Sequence, residues 1–356
     1  MTNTQPTAKQ RVVVIGGGTG THTVLRGLVA YHEELDITAV VTMADSGGST
    51  GRLRDEFGQL PVGDVRMALA ALASGDDDHE RLLREVFLHR FDTAGELSGH
   101  TFGNLFLVTL REVLGSEAAA IAAASRILKL RGQVLPVTYT NVDLCATYAD
   151  GVTITSESTI DAPPKHRTGV AITELSVTPA AQINDAVAET IAAADLIVLG
   201  PGDLYTSVLA NCVVSGMPEA LQAARAPLVY VANLMTKRGQ TDGMDVRAHT
   251  AAVTRYVGRQ PEVVLVNSDP LPPALCTRYA KEGEYPVGYT AGDLATAVYE
   301  VPLLAKEEVR TVSGDKVRRS LLRHDPEALA QALRHILQGT ASIAWPRTGC
   351  GAQGVD

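Results

Sequence analysis

Arg11-Val12-Val13-Val14-Ile15 runs straight into Gly16-Gly17-Gly18-Thr19-Gly20, and Thr21 to Tyr31 then reads as a helix. A short β-branched run, a glycine turn and a helix form the first half of a parallel βαβ unit. Glycines in that turn let the backbone approach a phosphate, and a helix N-terminus supplies free N–H groups and a positive dipole end. A tight turn without a ligand is the other reading. The spacing departs from the dinucleotide fingerprint G-x-G-x-x-G, because counting from Gly16 the third glycine would fall at Thr21. There is also no G-x-x-x-x-G-K-[ST] loop.

Outward from this unit, Ile37 to Met43 is a second buried strand, ending in Asp45-Ser46-Gly47-Gly48-Ser49-Thr50-Gly51-Arg52. An acidic residue at the end of such a strand suits a ribose hydroxyl pair, and Arg52 has the fork for a phosphate. The alternative is a flexible glycine-serine loop with Asp45 as a cap. Asp64 is expected to cap a helix carrying Val65, Leu69 and Leu72. Helices are expected over Glu80 to His89, Asn104 to Leu114 and Glu117 to Leu130, with Asn104 either a cap or a ligand contact. His100 reads as a satisfied structural histidine, and Asp76 to Asp78 as a solvated loop.

From Gly132 to about Val177 the pattern changes to short strands, Val134 to Thr138, Leu144 to Tyr148, Val152 to Ser156 and Val170 to Leu175. Asp150-Gly151 is a hairpin signal between two of them. Alternation resumes with a helix over Ala180 to Ala193 and strands Leu196 to Leu199, Leu228 to Ala232 and Val263 to Val266, then a last helix from Glu327 to Leu337. Two more polar loops follow these strands. One holds Gly200, Gly202, Thr206 and Ser207, the other Asn233, Thr241 and Asp242. The expected fold is α/β: a Rossmann-like parallel sheet with helices on both faces and a small antiparallel β insertion. The core spans residues 10–131 and 178–338, the insertion 132–177, and flexible tails 1–9 and 339–356. Open parallel sheets bind ligands at their carboxyl edge, where these loops should gather.

Composition narrows the function. The 356 residues are 45% hydrophobic and carry a formal net charge of −9, which argues against a broad grip on nucleic acid or anionic lipid. Aromatics are 4% of the chain, too few for a single-strand stacking platform. No stretch reaches the ~18 apolar residues of a membrane span, and residues 1–10 lack a signal peptide's apolar run. Cys145, Cys212, Cys276 and Cys350 are too dispersed for a metal site and read as reduced thiols, so a cytoplasmic location is expected. No nucleophile–base pair and no metal spacing is evident; the legible chemistry is recognition.

GGGTG with VLRGL, DSGGSTGRLRDEFG, PVGDVRMALAALA, GHTFGNL, GPGDLYTS, NLMTKRGQTDG, RYAKEG and RHDP occur in one order across residues 10–338. Together they resemble the gluconeogenesis-factor (YvcK-like) family, within the CofD-like superfamily that includes 2-phospho-L-lactate transferase. The resemblance implies a UDP-sugar ligand, notably UDP-N-acetylglucosamine, and a regulatory role in cell shape and wall synthesis during gluconeogenic growth. It also implies that Tyr279 faces the uracil or sugar and that Arg323 pairs with the diphosphate. Asp203 departs from the family's small serine, Thr21-His22-Thr23 replaces a small or apolar helix opening, and Pro326 replaces a threonine that is phosphorylated in some members. Two other readings stay open. One is a 2-phospho-L-lactate-type transferase acting on a deazaflavin, with Asp45, Asp64 and Asn104 organising magnesium. The other is an NAD-binding protein. A homodimer and a cell-wall regulatory protein are the expected partners.

Overall fold

In a computed structural model, residues 8–57, 60–75, 77–92, 95–164, 167–306 and 321–339 are described. The strands are β1 (Gln10–Gly16), β2 (Leu35–Val41), β3 (Gln133–Pro136), β4 (Asp143–Tyr148), β5 (Thr153–Thr155), β6 (Ile172–Thr178), β7 (Leu196–Leu199), β8 (Leu228–Val231), β9 (Val263–Asn267) and β10 (Ala297–Val301). The helices before the insertion are α1 (Gly18–Leu28), α2 (Gly48–Phe57), α3 (Gly63–Leu72), α4 (Asp78–Leu88), α5 (Phe102–Leu114) and α6 (Glu117–Ile127). After them come α7 (Glu157–Asp161), α8 (Asp185–Ala193), α9 (Leu209–Cys212), α10 (Met217–Ala223), α11 (Val246–Val257), α12 (Pro273–Ala280) and α13 (Pro326–Leu337).

Seven strands form one parallel sheet in the order β10-β9-β8-β7-β1-β2-β3, and β5-β4-β6 form a small antiparallel sheet. Side chains of a strand alternate between faces, so a strand covered on both sides must be apolar throughout. β1 shows this: Val12 and Val14 enter one core with Leu25, Leu69 and Leu333, while Val13 and Ile15 enter the opposite core with Leu199, Tyr230 and Val253. From β1 the chain builds outward to β2 and β3; β7 returns to the other side of β1 and the order then runs out to β10. The direction therefore reverses between β1 and β7. The crevice beyond their carboxyl ends is the position where such sheets take ligands.

Several expectations change. The run Val134 to Thr138, assigned to the insertion, supplies β3, the edge strand of the large sheet, paired in parallel with β2. Its apolar side chains have the covered core to enter, whereas the small sheet is β4, β5 and β6 only. Asp150-Gly151 does turn the β4–β5 hairpin. Glycine-bearing residues 48–52, read as loop, are the opening of α2. Asp64 is not the cap of α3; Val62 holds that position and Asp64 lies in the first turn. Thr101, not Asn104, caps α5. Asp77 is no mere loop residue, since its carboxylate accepts the Glu80 N–H at 2.7 Å and caps α4. Cys145, Cys212 and Cys276 are free thiols, and Cys350 lies outside the described residues. Most of the two expected tails also lies outside them. Among the described residues no helix is long and apolar enough to cross a membrane.

Candidate functional site at the carboxyl edge of the sheet

Gly16 ends β1, Gly17 caps α1, and Gly18, Thr19 and Gly20 are its first turn. The loop after β7, with a cis Gly200–Pro201 bond and a π-helical turn at Leu204–Val208, packs directly against it. A Cβ on Gly20 would overlap the Pro201 carbonyl and come within 2.9 Å of the Gly202 nitrogen. Only glycine allows that approach of two backbones, one on each side of the crevice. Asn233, after β8, ties the next loop in by donating its side-chain N–H to the Gly202 carbonyl at 2.7 Å.

Carboxylates cluster on the β2 side. Asp64 accepts the Gly18 N–H at 2.7 Å, so the first turn of α3 is joined to the glycine turn of α1. Asp45 accepts the Gly47 N–H at 2.9 Å. Gly17 and Gly63 leave the room these carboxyls occupy, for a Cβ at either would collide with Asp64 or Asp45. Burial, then the charge of Asp45, pushes the Asp64 carboxyl up to about 7. Asp45 is likewise raised by burial, against the opposing hydrogen bond from Gly47.

The small insertion reaches into the same place. Ser46 Oγ lies 3.0 Å from Ser156 Oγ, 3.3 Å from Ser158 Oγ, and accepts the Ser158 N–H at 3.0 Å. Ser156 sits at φ 125°, a strained backbone for a residue with a side chain. Glu157 accepts the Ser46 N–H at 3.4 Å, and burial followed by the charge of Asp45 holds its carboxyl well above the usual range. Asp161 and Asp203 both meet Lys237 Nζ, at 3.0 and 3.2 Å. Burial and Asp203 push Asp161 up to about 6. Asp203 is held below its ordinary value even though burial opposes this, because Lys237 and Asp161 outweigh it. Sequence reasoning did not single out Glu157, Asp161 or Lys237; a short Ser-Glu-Ser after a hairpin is the signal for the first two, and Lys237 lies within the quoted NLMTKRGQTDG stretch.

The remaining candidates have mostly structural partners. Ser49 bonds His100 Nδ1 at 3.0 Å and accepts an Asn104 N–H at 3.1 Å, while Asn104 Oδ1 accepts from Arg66 at 2.8 Å. Asn104 is 2% exposed and faces no open space. Burial first, then Arg52, lowers the His100 imidazole from its ordinary value. Arg52 donates to the Ser98 carbonyl at 2.7 Å. Thr206 is buried, and Ser207 lies beside Gly18 and Gly202 on the crevice. Thr241 accepts the Lys237 N–H at 2.7 Å, and Asp242 accepts from Gly239 at 2.6 Å and from Gly169 at 3.2 Å, which fixes that loop and docks the insertion. Tyr279 is buried with Leu234 and Leu322, its hydroxyl accepting N–H groups of Leu321 and Leu322 at 2.7 and 3.2 Å. It therefore sets the strand of chain that carries half-buried Arg323.

Backbone N–H groups at the first turns of α1 and α2, hydroxyls, and carboxyls that cannot all be ionised at neutral pH surround one crevice. Such a set matches a ligand with both anionic and hydroxyl groups. Among the described residues no three His, Cys, Asp or Glu side chains are set for a metal ion.

An open parallel sheet with helices on both faces and loops meeting at its switch point defines an α/β protein of the Rossmann-like class. The chain belongs to the CofD family, whose description, 2-phospho-L-lactate transferase CofD, matches residues 12–304, and within it to the gluconeogenesis-factor group. It is 36% identical over 331 residues to the gluconeogenesis factor of Bacillus subtilis, covering 93% of this chain and 99% of that protein. To a putative gluconeogenesis factor of Nostoc it is 41% identical over 326 residues, covering 91% of this chain and 68% of the relative. A crystal structure of a UPF0052-family protein from Bacillus halodurans superposes with a TM-score of 0.82 at 35% identity, covering 92% of this chain and 99% of the other.

Proposed function

We propose that the chain binds a nucleotide sugar of the UDP-N-acetylglucosamine type at the carboxyl edge of its large sheet and acts as a regulatory sensor of that ligand. The observation that carries this reading is the meeting of Gly16–Gly20, the Asp45–Ser49 turn, Asp64 and the Gly200–Ser207 loop at one crevice, where amides suit a diphosphate and carboxyls suit sugar hydroxyls. The name of the gluconeogenesis-factor group supports a role tied to gluconeogenic growth, and the role proposed here is control of cell shape and wall synthesis, exercised in the cytoplasm through a protein partner. Isothermal titration with UDP-N-acetylglucosamine, UDP-glucose and NAD tests it. Saturable binding of the first is expected, and no heat at millimolar ligand would end the proposal. Arg323→Ala is expected to weaken binding by about 1.5–3 kcal/mol, as a charge-assisted bond to the diphosphate.

A second reading rests on Asp45 and Asp64, two carboxyls whose ionisation is opposed by burial and, at Asp64, also by the charge of Asp45. A magnesium ion held there, with Asn104 nearby, would relieve that repulsion and would serve the joining of a phosphate-activated lactyl group to a deazaflavin acceptor. Product formation with purified protein, magnesium and both substrates would put this reading first.

A further inference from the structure

Lys237 stands where three segments of the molecule meet. A turn over residues 237–241 fixes its backbone: Thr241 Oγ1 accepts the Lys237 N–H at 2.7 Å, and the Lys237 carbonyl accepts the Thr241 N–H at 2.8 Å. Its Nζ reaches Asp203, on the loop after β7, at 3.2 Å and Asp161, at the end of α7 in the insertion, at 3.0 Å. The insertion is pressed on this turn, since a Cβ on Gly239 would overlap Pro163. Among the described residues no other lysine or arginine pairs with either carboxylate. All three side chains keep part of their surface exposed, so the cluster is open to solvent.

Asp203 is the member of the cluster that bears on an anion. It follows Gly202, whose nitrogen is 2.9 Å from where a Cβ on Gly20 would stand, so the carboxylate is one residue from the contact of the two glycine loops. Asp203 also precedes the π-helical turn Leu204–Val208, a position where an aspartate ordinarily accepts the N–H groups of the turn it caps. Here its side chain makes no such bond and goes to Lys237 instead. Lys237 thus offsets a negative charge beside backbone N–H groups and holds the carboxylate oxygens off them. A carboxylate left uncompensated a few ångströms from a diphosphate opposes its binding, by charge and by competing for the same donors.

We propose, resting on the nucleotide-sugar reading, that Lys237 is a positioning residue for the ligand's diphosphate: by pairing with Asp203 it keeps the Gly200–Ser207 loop receptive to an anion, and by pairing with Asp161 it ties that state to the docked insertion. Lys237 acts through Asp203 and not by touching the phosphates. Removing the ammonium frees the carboxylate to cap its own turn and to repel a phosphate. Removing the carboxylate does the opposite. A lysine that merely braced the loop would give weaker binding in both variants, so the signs of the two effects separate the roles.

The test is titration calorimetry of the full chain with UDP-N-acetylglucosamine and with UDP, comparing the wild type with K237M, K237R, D203A and K237M/D203A. K237M is expected to weaken both ligands about tenfold, as a like charge beside a phosphate does. D203A should tighten both about threefold, because repulsion falls while Lys237 stays. K237R, which keeps a cation there, and K237M/D203A should both lie within about threefold of the wild type. Thermal melts without ligand check that each variant is folded; if K237M is not, D203A and the double variant decide. Opposite signs in the single variants, with recovery in the double variant, support the role. Weakening by D203A, unchanged affinity throughout, or a double variant no better than K237M overturns it. A wild-type chain that binds neither ligand removes the nucleotide-sugar reading and this role together, whereas saturable wild-type binding with unmoved variants removes only the role of Lys237.

Discussion

Asp64→Asn is expected to make the protein more stable at pH 8 while changing little at pH 4. The side chain accepts the Gly18 N–H through Oδ1, a bond that an asparagine carbonyl keeps. What the substitution removes is the charge. Burial and Asp45 raise the native carboxyl from 3.8 to about 7. As pH rises, the unfolded chain therefore releases this proton first, and between those values the native state holds more protons than the unfolded one. Stability contributed by the protonated carboxyl is complete below pH 4 and is lost as pH climbs through 7. At 1.36 kcal/mol per pH unit, the interval sets a ceiling of about 4 kcal/mol. Asp64 is only partly buried and shares its protons with Asp45, so a gain of about 1–2 kcal/mol at pH 8 is the expected outcome, after discounting for solvent screening. Urea denaturation of both proteins at pH 4, 5, 6, 7 and 8 reads it directly. Curves separated by the same amount at every pH, or a variant less stable at pH 8, would refute the idea that the fold holds Asp64 against its charge.

Three other outcomes follow from the geometry. Gly20→Ala forces apart the loops after β1 and β7, at an overpacking cost of about 1–3 kcal/mol; at about 2 °C per kcal/mol the melting temperature should fall by a few degrees, whereas Gly288→Ala, with open space around it, should melt like the wild type. Tyr279→Phe leaves two N–H groups at Leu321 and Leu322 without their acceptor, costing about 1–3 kcal/mol; faster amide exchange at those two residues is the measurement, and unchanged exchange would show that Tyr279 does not hold the strand. Lys237→Met strips the cation from Asp161 and Asp203, and with these side chains 25–37% exposed the loss, discounted for solvent screening, should be about 1–2 kcal/mol at pH 8. It should shrink towards pH 5 as the stranded carboxyls take up protons, a trend that thermal melts across that range would expose.

Much of this protein was written locally. Runs such as Val12 to Ile15 and Leu196 to Leu199 are apolar at every position, which only strands buried on both faces tolerate, and glycine turns at their ends mark the carboxyl edge. The Asp150-Gly151 hairpin needed nothing beyond itself. Long-range packing decided the rest. Val134 to Pro136 joins the large sheet because β2 has a free edge for it, a fact about strand order and not about its own residues. Helix α2 opens on Gly48 and includes Gly51, poor helix formers, because Ser46 crowds Gly51 too closely for any other residue. Glu157 and Asp161 meet Ser46 and Lys237 only when the insertion packs on the large sheet's loops, and the His22 imidazole is held down first by burial and then by arginines from four segments. Pattern along a chain fixes which elements form. Electrostatic and steric contacts between residues far apart in sequence exist only once those elements pack, so the character of the site was decided there.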